Sequence, residues 1–201
     1  SHGFKEMWAL VKGDRELQKF LIVRSLMLVT ALSTPFIVIL GQENGSDLTG
    51  LGAFIIASGG ASLIGGRVSG WWSDKSSKNA MAWAAGVASV VLLLLVLSAR
   101  LAPESINSWV MPVGFFLVNL AHTTVRVSRK TYLVDMADGD KRTLITGASN
   151  TVMGIVLLVV GAITSAVAAF GTQTALVFLA IVGFVGVFGA ANLKEVSANA
   201  S

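Results

Sequence analysis

Long apolar runs separated by short polar segments dominate this chain of 201 residues. A helix needs about 20 consecutive apolar residues to cross the hydrocarbon core of a bilayer, which is about 30 Å thick. None of the runs alternates with the period of two that a barrel strand requires. The pattern therefore predicts an all-α membrane protein with six transmembrane helices, at residues 20–40, 51–71, 80–99, 108–126, 144–166 and 175–191.

Short polar segments are predicted to connect these helices. The segments that would lie inside are rich in lysine and arginine, whereas those outside contain only Arg100. By the positive-inside rule, both termini are expected in the cytoplasm, with the bundle in the inner or plasma membrane. The predicted connections are residues 41–48, 73–79, 100–107, 127–143 and 171–174.

Apolar residues also recur at helical spacing before the first run, at Phe4, Met7, Trp8 and Val11. This pattern predicts an amphipathic helix on the inner membrane surface, and a partly disordered tail is the alternative. The chain then divides into three parts. They are a cytoplasmic linker with this helix (1–17), the six-helix bundle (18–193) and a cytoplasmic tail (194–201).

Composition strengthens the membrane interpretation. Hydrophobic residues make up 54% of the chain and charged residues 13%, against about 25% charged in an average soluble domain. The net charge of +4 resides largely in the short connections, so the expected partner is a lipid bilayer and no nucleic acid. Without cysteine there is no thiolate metal site, and neither a metal nor another cofactor is expected.

Glycines crowd the second run and repeat along one face of the fifth and of the sixth. Apolar side chains gain little by leaving lipid, so small residues that let helix backbones approach are expected to supply packing energy. These packing glycines are Gly59, Gly60, Gly65, Gly66 and Gly70, then Gly147, Gly154 and Gly161, and finally Gly183, Gly186 and Gly189.

The end of the second run has a recognisable motif, GWWSDKSSK at residues 70–78. It resembles the G-x-x-x-D-[RK]-x-G-[RK] gate loop of major facilitator transporters, in the degenerate form of its second copy. The matching residues are Gly70, Asp74, Lys75 and Lys78, while Ser77 replaces a glycine. The glycine is expected to allow close packing at the inner rim, and the aspartate to face a helix N-terminus or a basic side chain.

A basic stretch after the fourth run, with inner-rim charges Arg126, Arg129 and Arg142, is similar to the end of helix ten in this family. The resemblance covers essentially the whole chain and implies helices seven to twelve, built as two inverted three-helix repeats. It further implies a small-molecule substrate, alternating access, and an N-terminal six-helix half of the same transporter as partner.

Polar residues inside the runs are candidates for the substrate path. Asn119, His122, Thr123 and Arg126 share one helical face, and such a face is too costly to expose to lipid. The hypothesis assigns the first three to the path, and a hydrogen bond from His122 between helices is the alternative. Further path candidates are Ser33, Thr34 and Asn150.

Two residues of the first run are given structural roles. Arg24 is interpreted as snorkelling to the lipid headgroups, and Pro35 as a kink in the helix. The acidic residues all lie outside the runs or at their ends, so a coupling carboxylate is expected in the other half. The neutral and basic character of the polar residues favours a neutral or anionic solute over a cation.

Two other functions are considered. An intramembrane serine hydrolase would need a facing serine and histidine, but Ser69 lacks a G-x-S-G motif and lies far from His122 in the sequence. The chain is therefore not expected to be an enzyme. A membrane scaffold or sensor with a facilitator-like fold, which transports nothing, remains the alternative.

Overall fold

A computed structural model describes residues 2–197, which contain eight α-helices and no strand. Six helical stretches are long and apolar enough to cross a membrane, the first of them (Arg15–Glu43) comprising two of these helices. The all-α membrane architecture with six spans is thus confirmed. The helices are α1 (His2–Gly13), α2 (Arg15–Leu26), α3 (Val29–Glu43), α4 (Leu48–Lys75), α5 (Ser77–Leu101), α6 (Glu104–Met136), α7 (Lys141–Ala168) and α8 (Thr172–Ala191).

Short side chains begin three of these helices. Asp14 accepts a hydrogen bond from the Leu17 amide at the start of α2, over 3.1 Å. Asp47 does the same for α4, and Ser76 for α5. Each cap satisfies one of the amides that a helix N-terminus leaves without a partner. Three of the tight connections between helices therefore have a local cause in the sequence.

The predicted connections are mostly too long. Residues 127–143 were expected to form a basic loop, but α6 continues to Met136 and only 137–140 connect it to α7. Within 73–79, only Ser76 lies outside a helix. The reason is that a polar residue at a membrane boundary does not end a helix, because the helix satisfies its own backbone and long basic side chains reach toward water.

The first span is interrupted at Met27 and Leu28, between α2 and α3. Here the amide of Leu28 bonds to the carbonyl of Ser25, and the amide of Thr30 to that of Met27, each over 3.3 Å. Bonds of this i to i−3 type tighten the chain locally. The interruption therefore precedes Pro35, and α3 continues as a helix through that proline.

The six spans form two layers. In the front layer α4 packs on α6, α6 on α3, and α2 on α7, so the first span lies between α6 and α7. Helices α5 and α8 form the back layer, which packs against the first span, α6 and α7. The predicted amphipathic helix α1 exists, and its apolar residues Met7 and Val11 lie against Ala148 and Val152 of α7.

The glycine faces differ in their surroundings. On α8, a Cβ at Gly189 would lie 3.1 Å from Val23 and one at Gly186 3.2 Å from Leu26, so the first span packs directly on this face. On α7, a Cβ at Gly154 or Gly161 would meet nothing within 4 Å. The packing prediction is therefore confirmed for α8. For Gly154 and Gly161, and also for Gly59, Gly66 and Gly70, no neighbour lies within 4 Å in residues 2–197, so there it stays a prediction.

Candidate functional site

Two contacts set the register between the first span and α6. The rings of Phe20 and Tyr132 stack with centroids 5.1 Å apart. Nearer the middle of the spans, Thr30 Oγ1 and His122 Nδ1 lie 3.1 Å apart, within hydrogen-bonding distance. Residue numbers rise along one helix and fall along the other, so the two run antiparallel. The predicted hydrogen bond of His122 between helices is present, whether or not His122 also serves a path.

Arg24 lies between these two contacts and bridges to α7. Its Nη1 donates to Ser149 Oγ over 2.6 Å, and its Nη2 donates to Asn150 Oδ1 over 3.3 Å. The snorkelling interpretation is therefore wrong, because the guanidinium is held by polar partners inside the bundle. Asn150, a predicted path residue, is one of them. Ser149 was missed, since a lone serine in an apolar helix gives no signal of its partner.

The arginines of α6 have no such partners. Arg129 is partly buried and Arg126 is exposed, and neither side chain has a hydrogen bond within residues 2–197. The Nε atoms of Arg24 and Arg129 are both buried without an acceptor. The only ion pair in the described part of the chain joins Lys19 to Glu16, at 3.7 Å. No carboxylate therefore neutralises Arg24 or Arg129 there.

The predicted polar face of α6 divides between two neighbours. His122 faces Thr30 on α3, whereas the methyl group of Thr123 lies 3.1 Å from the Cβ position of Gly65 on α4. The hydroxyl of Thr123 donates to the carbonyl of its own helix at Asn119. Asn119 is partly buried and its amide donates back to Phe115 over 2.8 Å. Thr123 thus packs between helices, and His122 and Asn119 remain partly accessible.

The candidates of α3 lie apart from this region. Ser33 is fully buried and its hydroxyl has no partner among the described residues. Thr34 donates to the carbonyl of Ala31 over 3.0 Å. Farther along the same side, a groove of about 390 Å³ runs between α3 and α7, with Pro35 and Gly161 among its lining. The structure does not bring Ser33 or Thr34 into hydrogen-bonding contact with His122.

The gate-loop motif occupies the α4–α5 junction, where its expected contacts are absent. Asp74 is exposed and makes no hydrogen bond or ion pair within residues 2–197, and nothing lies within 4 Å of a Cβ at Gly70. Lys75 places its ammonium 3.9 Å from the centroid of the Trp71 ring. Lys78 donates to the carbonyl of Ala191 over 3.3 Å. The lysines therefore have partners, whereas the motif glycine and aspartate have none in this part of the chain.

The segment after α8 packs against the α4–α5 junction and α6. Ser76 donates to Glu195 Oε2 over 2.6 Å, and the Ser77 amide donates to Ser197 Oγ over 3.1 Å. Tyr132 donates to the carbonyl of Lys194 over 2.9 Å. Residues 194–197 of the predicted tail thus bind the α4–α5 junction to α6, while 198–201 lie outside the described residues.

Arg142, the third predicted inner-rim charge, closes the α6–α7 connection. Its Nε donates to the carbonyls of Val134 over 3.1 Å and Ala137 over 2.8 Å. These carbonyls belong to the end of α6, where a helix leaves acceptors without partners. Arg142 therefore serves as a C-terminal cap, and it does not join Arg126 and Arg129.

Two hydroxyl pairs join α4 to α6. Ser69 lies 2.9 Å from Thr124 and Ser73 lies 2.8 Å from Ser128, oxygen to oxygen. Both pairs are buried, and their equal residue offset shows that the two helices run parallel. Ser69 therefore pairs with a threonine and not with His122, which faces α3. The arrangement is that of helix packing and does not assemble a hydrolase site from these two residues.

The fold and the charges define an integral membrane protein, and comparison with known proteins adds its family. The family model of the Major Facilitator Superfamily matches residues 20–198. The chain therefore belongs to this superfamily, and it is a transporter of the major facilitator type. Neither the curated proteins nor the solved structures include a match to the chain.

Proposed function

We propose that this chain forms one half of a secondary transporter that moves a small solute across the membrane by alternating access. The observation that carries this proposal is that α4 and α7, the two outer helices of the front layer, are uncovered. Only 17% of the apolar stretch of α4 and 11% of that of α7 is buried, against 50% for α6 between them and 56% for α5 in the back layer. A second six-helix half would cover α4 and α7 and leave a central path between the two halves.

Glycine spacing supports such a partner. On α4, Gly52, Gly59 and Gly66 repeat every seven residues, and a Cβ there would meet nothing within 4 Å. Gly154 and Gly161 continue the same spacing on α7. Glycines at this interval allow close approach of another helix. We assign the partner to an N-terminal half of the same transporter and this chain to helices seven to twelve.

The proposed path runs along the first span between α6 and α7. His122, Asn119 and Asn150 are among the uncharged polar residues that remain partly or fully exposed there. The acidic residues within 2–197 lie in α1, near the ends of the spans or between helices, so a coupling carboxylate would come from the other half. We also propose that the protein lies in the inner membrane of the cell, with both termini in the cytoplasm.

The absence of native cysteine in this chain makes the proposal testable by labelling. In the complete transporter, made cysteine-free elsewhere, the Asn150→Cys variant is exposed to membrane-impermeant thiol reagents from each side. Alternating access predicts labelling from both sides, in proportions that change with the conformation. The matched control is Leu94→Cys in α5, where the side chain is 56% exposed on the back layer.

Labelling of the control is expected from neither side, because a thiol in hydrocarbon does not form the reactive thiolate. Access to position 150 from one side only, under every condition tried, would contradict the proposal. That result would mean that position 150 lies on a water-filled surface and not on an alternating path.

A further inference from the structure

Arg24 and Arg129 lie at the same depth on neighbouring helices. Arg24 follows Phe20 by four residues and Arg129 precedes Tyr132 by three, and the rings of Phe20 and Tyr132 are stacked. Each arginine is thus about one helical turn closer to the membrane centre than this stack. Arg126 lies one further turn along α6 on the same side.

This group of cations has no counter-charge in the described part of the chain. The acids nearest along the two helices are Glu16 and Asp135, which line a separate pocket at the inner rim. Along the helix axis they are roughly 12 Å from Arg24 and roughly 9 Å from Arg129. A charge held away from water is costly unless it is paired, and two like charges at one depth increase that cost. Such an arrangement favours a bound anion.

The hydrogen bonds of Arg24 prepare it to bind one. Ser149 and Asn150 of α7 each accept a hydrogen bond from one Nη atom of Arg24, so the planar guanidinium is held in one orientation. The Nε atoms of Arg24 and Arg129 remain without acceptors among residues 2–197. A guanidinium presents its donors in a fixed fork that matches the oxygens of a carboxylate, phosphate or sulfate.

We propose that Arg24, oriented by Ser149 and Asn150, and Arg129 together bind an oxyanion group of the transported solute along the first span, between α6 and α7. The inference rests on the proposed function and narrows its substrate to organic or inorganic oxyanions. Arg126, exposed one turn farther along α6, adds positive potential that attracts the anion.

The test measures thermal unfolding of the complete transporter in nanodiscs of zwitterionic lipid. Inorganic phosphate, sulfate and succinate are titrated separately, with chloride at equal ionic strength and glucose as references. At least one oxyanion is expected to raise the unfolding temperature saturably, and the references are not. The apparent affinity should fall about 10- to 100-fold in Arg24→Gln and in Arg129→Gln, the effect of losing a charge-assisted hydrogen bond.

Lys130→Gln is the matched control, because it removes the same charge from the exposed position next to Arg129. It should leave the oxyanion affinity unchanged. Ser149→Ala keeps the charge of Arg24 and should weaken oxyanion binding less than Arg24→Gln does. This second variant therefore separates a loss of binding from a simple failure of Arg24→Gln to fold. A missing oxyanion response in the wild type would overturn the inference, as would an equal loss in the Lys130 variant.

A second arm distinguishes the solute from a lipid headgroup, which has the same chemistry. The titrations are repeated in nanodiscs containing phosphatidylglycerol. The lipid could stabilise the protein through Arg24 and Arg129 without competition from free oxyanions. In that case the ligand of the two arginines would be a lipid headgroup and not the solute. Saturable oxyanion binding with one-sided labelling of position 150 would contradict the proposed function alone. Two-sided labelling without oxyanion binding would contradict this inference alone.

Discussion

Glycines repeat along α8 every three residues and along α7 every seven, but within residues 2–197 only the glycines of α8 are closely packed throughout. There the interrupted first span packs at Gly183, Gly186 and Gly189, and a Cβ at Gly183 would collide with Ser89 Oγ. On α7 the positions of Gly154 and Gly161 are open. A glycine repeat therefore identifies a face suited to close approach, but it does not identify the partner. The occupied face holds this bundle together, and the open face is available to another helix.

The strongest way to break the occupied face is Gly183→Leu. The added side chain would overlap Ser89 Oγ and press on Val29, both of which are backed by other buried residues. Overpacking a tight core costs about 1–3 kcal/mol and sometimes more, and here the upper end is expected. Thermal unfolding in detergent should show a large fall, together with loss of monodisperse protein. Unchanged unfolding would mean that α8 and the first span do not pack this closely.

Gly154→Leu is the matched change on the open face. A Cβ at this position would meet nothing within 4 Å in residues 2–197, so the unfolding temperature of this bundle should stay near that of the wild type. A partner helix at this face would be displaced, so two-sided labelling of Asn119→Cys in the complete transporter should fall about tenfold. Full labelling with normal stability would place this face against lipid.

Alanine should stabilise the bundle on the open face and should not do so on the occupied face. A helical Gly→Ala change stabilises by about 1 kcal/mol through backbone entropy. At Gly161 nothing opposes that gain, so Gly161→Ala should stabilise the bundle. At Gly189 the new methyl would lie 3.1 Å from Val23 and offset most of the gain, so little or negative change is expected. Unfolding in denaturant measures the two free energies. Equal stabilisation by Gly161→Ala and Gly189→Ala would mean that the two faces do not differ in packing.

The packed face of α4 gives the smallest expected effect. Ser73→Ala removes the buried hydroxyl pair with Ser128, and interhelical hydrogen bonds of this kind average about 0.6 kcal/mol. Ser62→Ala is the control, because Ser62 is exposed and bonds only to the Ser58 carbonyl of its own helix. A loss in the first variant and none in the second is expected from unfolding equilibria. A larger loss at Ser62 would mean that a partner covers that side.

Much of the fold could be predicted, but much of the candidate site could not. The helix caps at Asp14 and Asp47 are local, and the six spans follow from apolar length. The partners of Arg24 could not be predicted, because Ser149 is more than a hundred residues away in the chain. Thr123 and His122 were predicted to share one face of α6, yet His122 contacts α3 and Thr123 contacts α4. The reason is that α6 lies between these two helices, so neighbouring residues of one face point to different partners.

The sequence by itself determined that this protein lies in a lipid bilayer, that it is helical and that it has six spans. The reason is that a long apolar run in a bilayer satisfies its backbone hydrogen bonds by forming a helix. The sequence also marked which faces admit close approach. Only the tertiary structure decided that, among the residues it describes, the face of α8 is filled while Gly154 and Gly161 of α7 are open, and that Arg24 is held toward α7 without forming an ion pair. The physical reason is that contacts between helices depend on which surfaces meet, and residue spacing within one helix specifies a surface without specifying its neighbour.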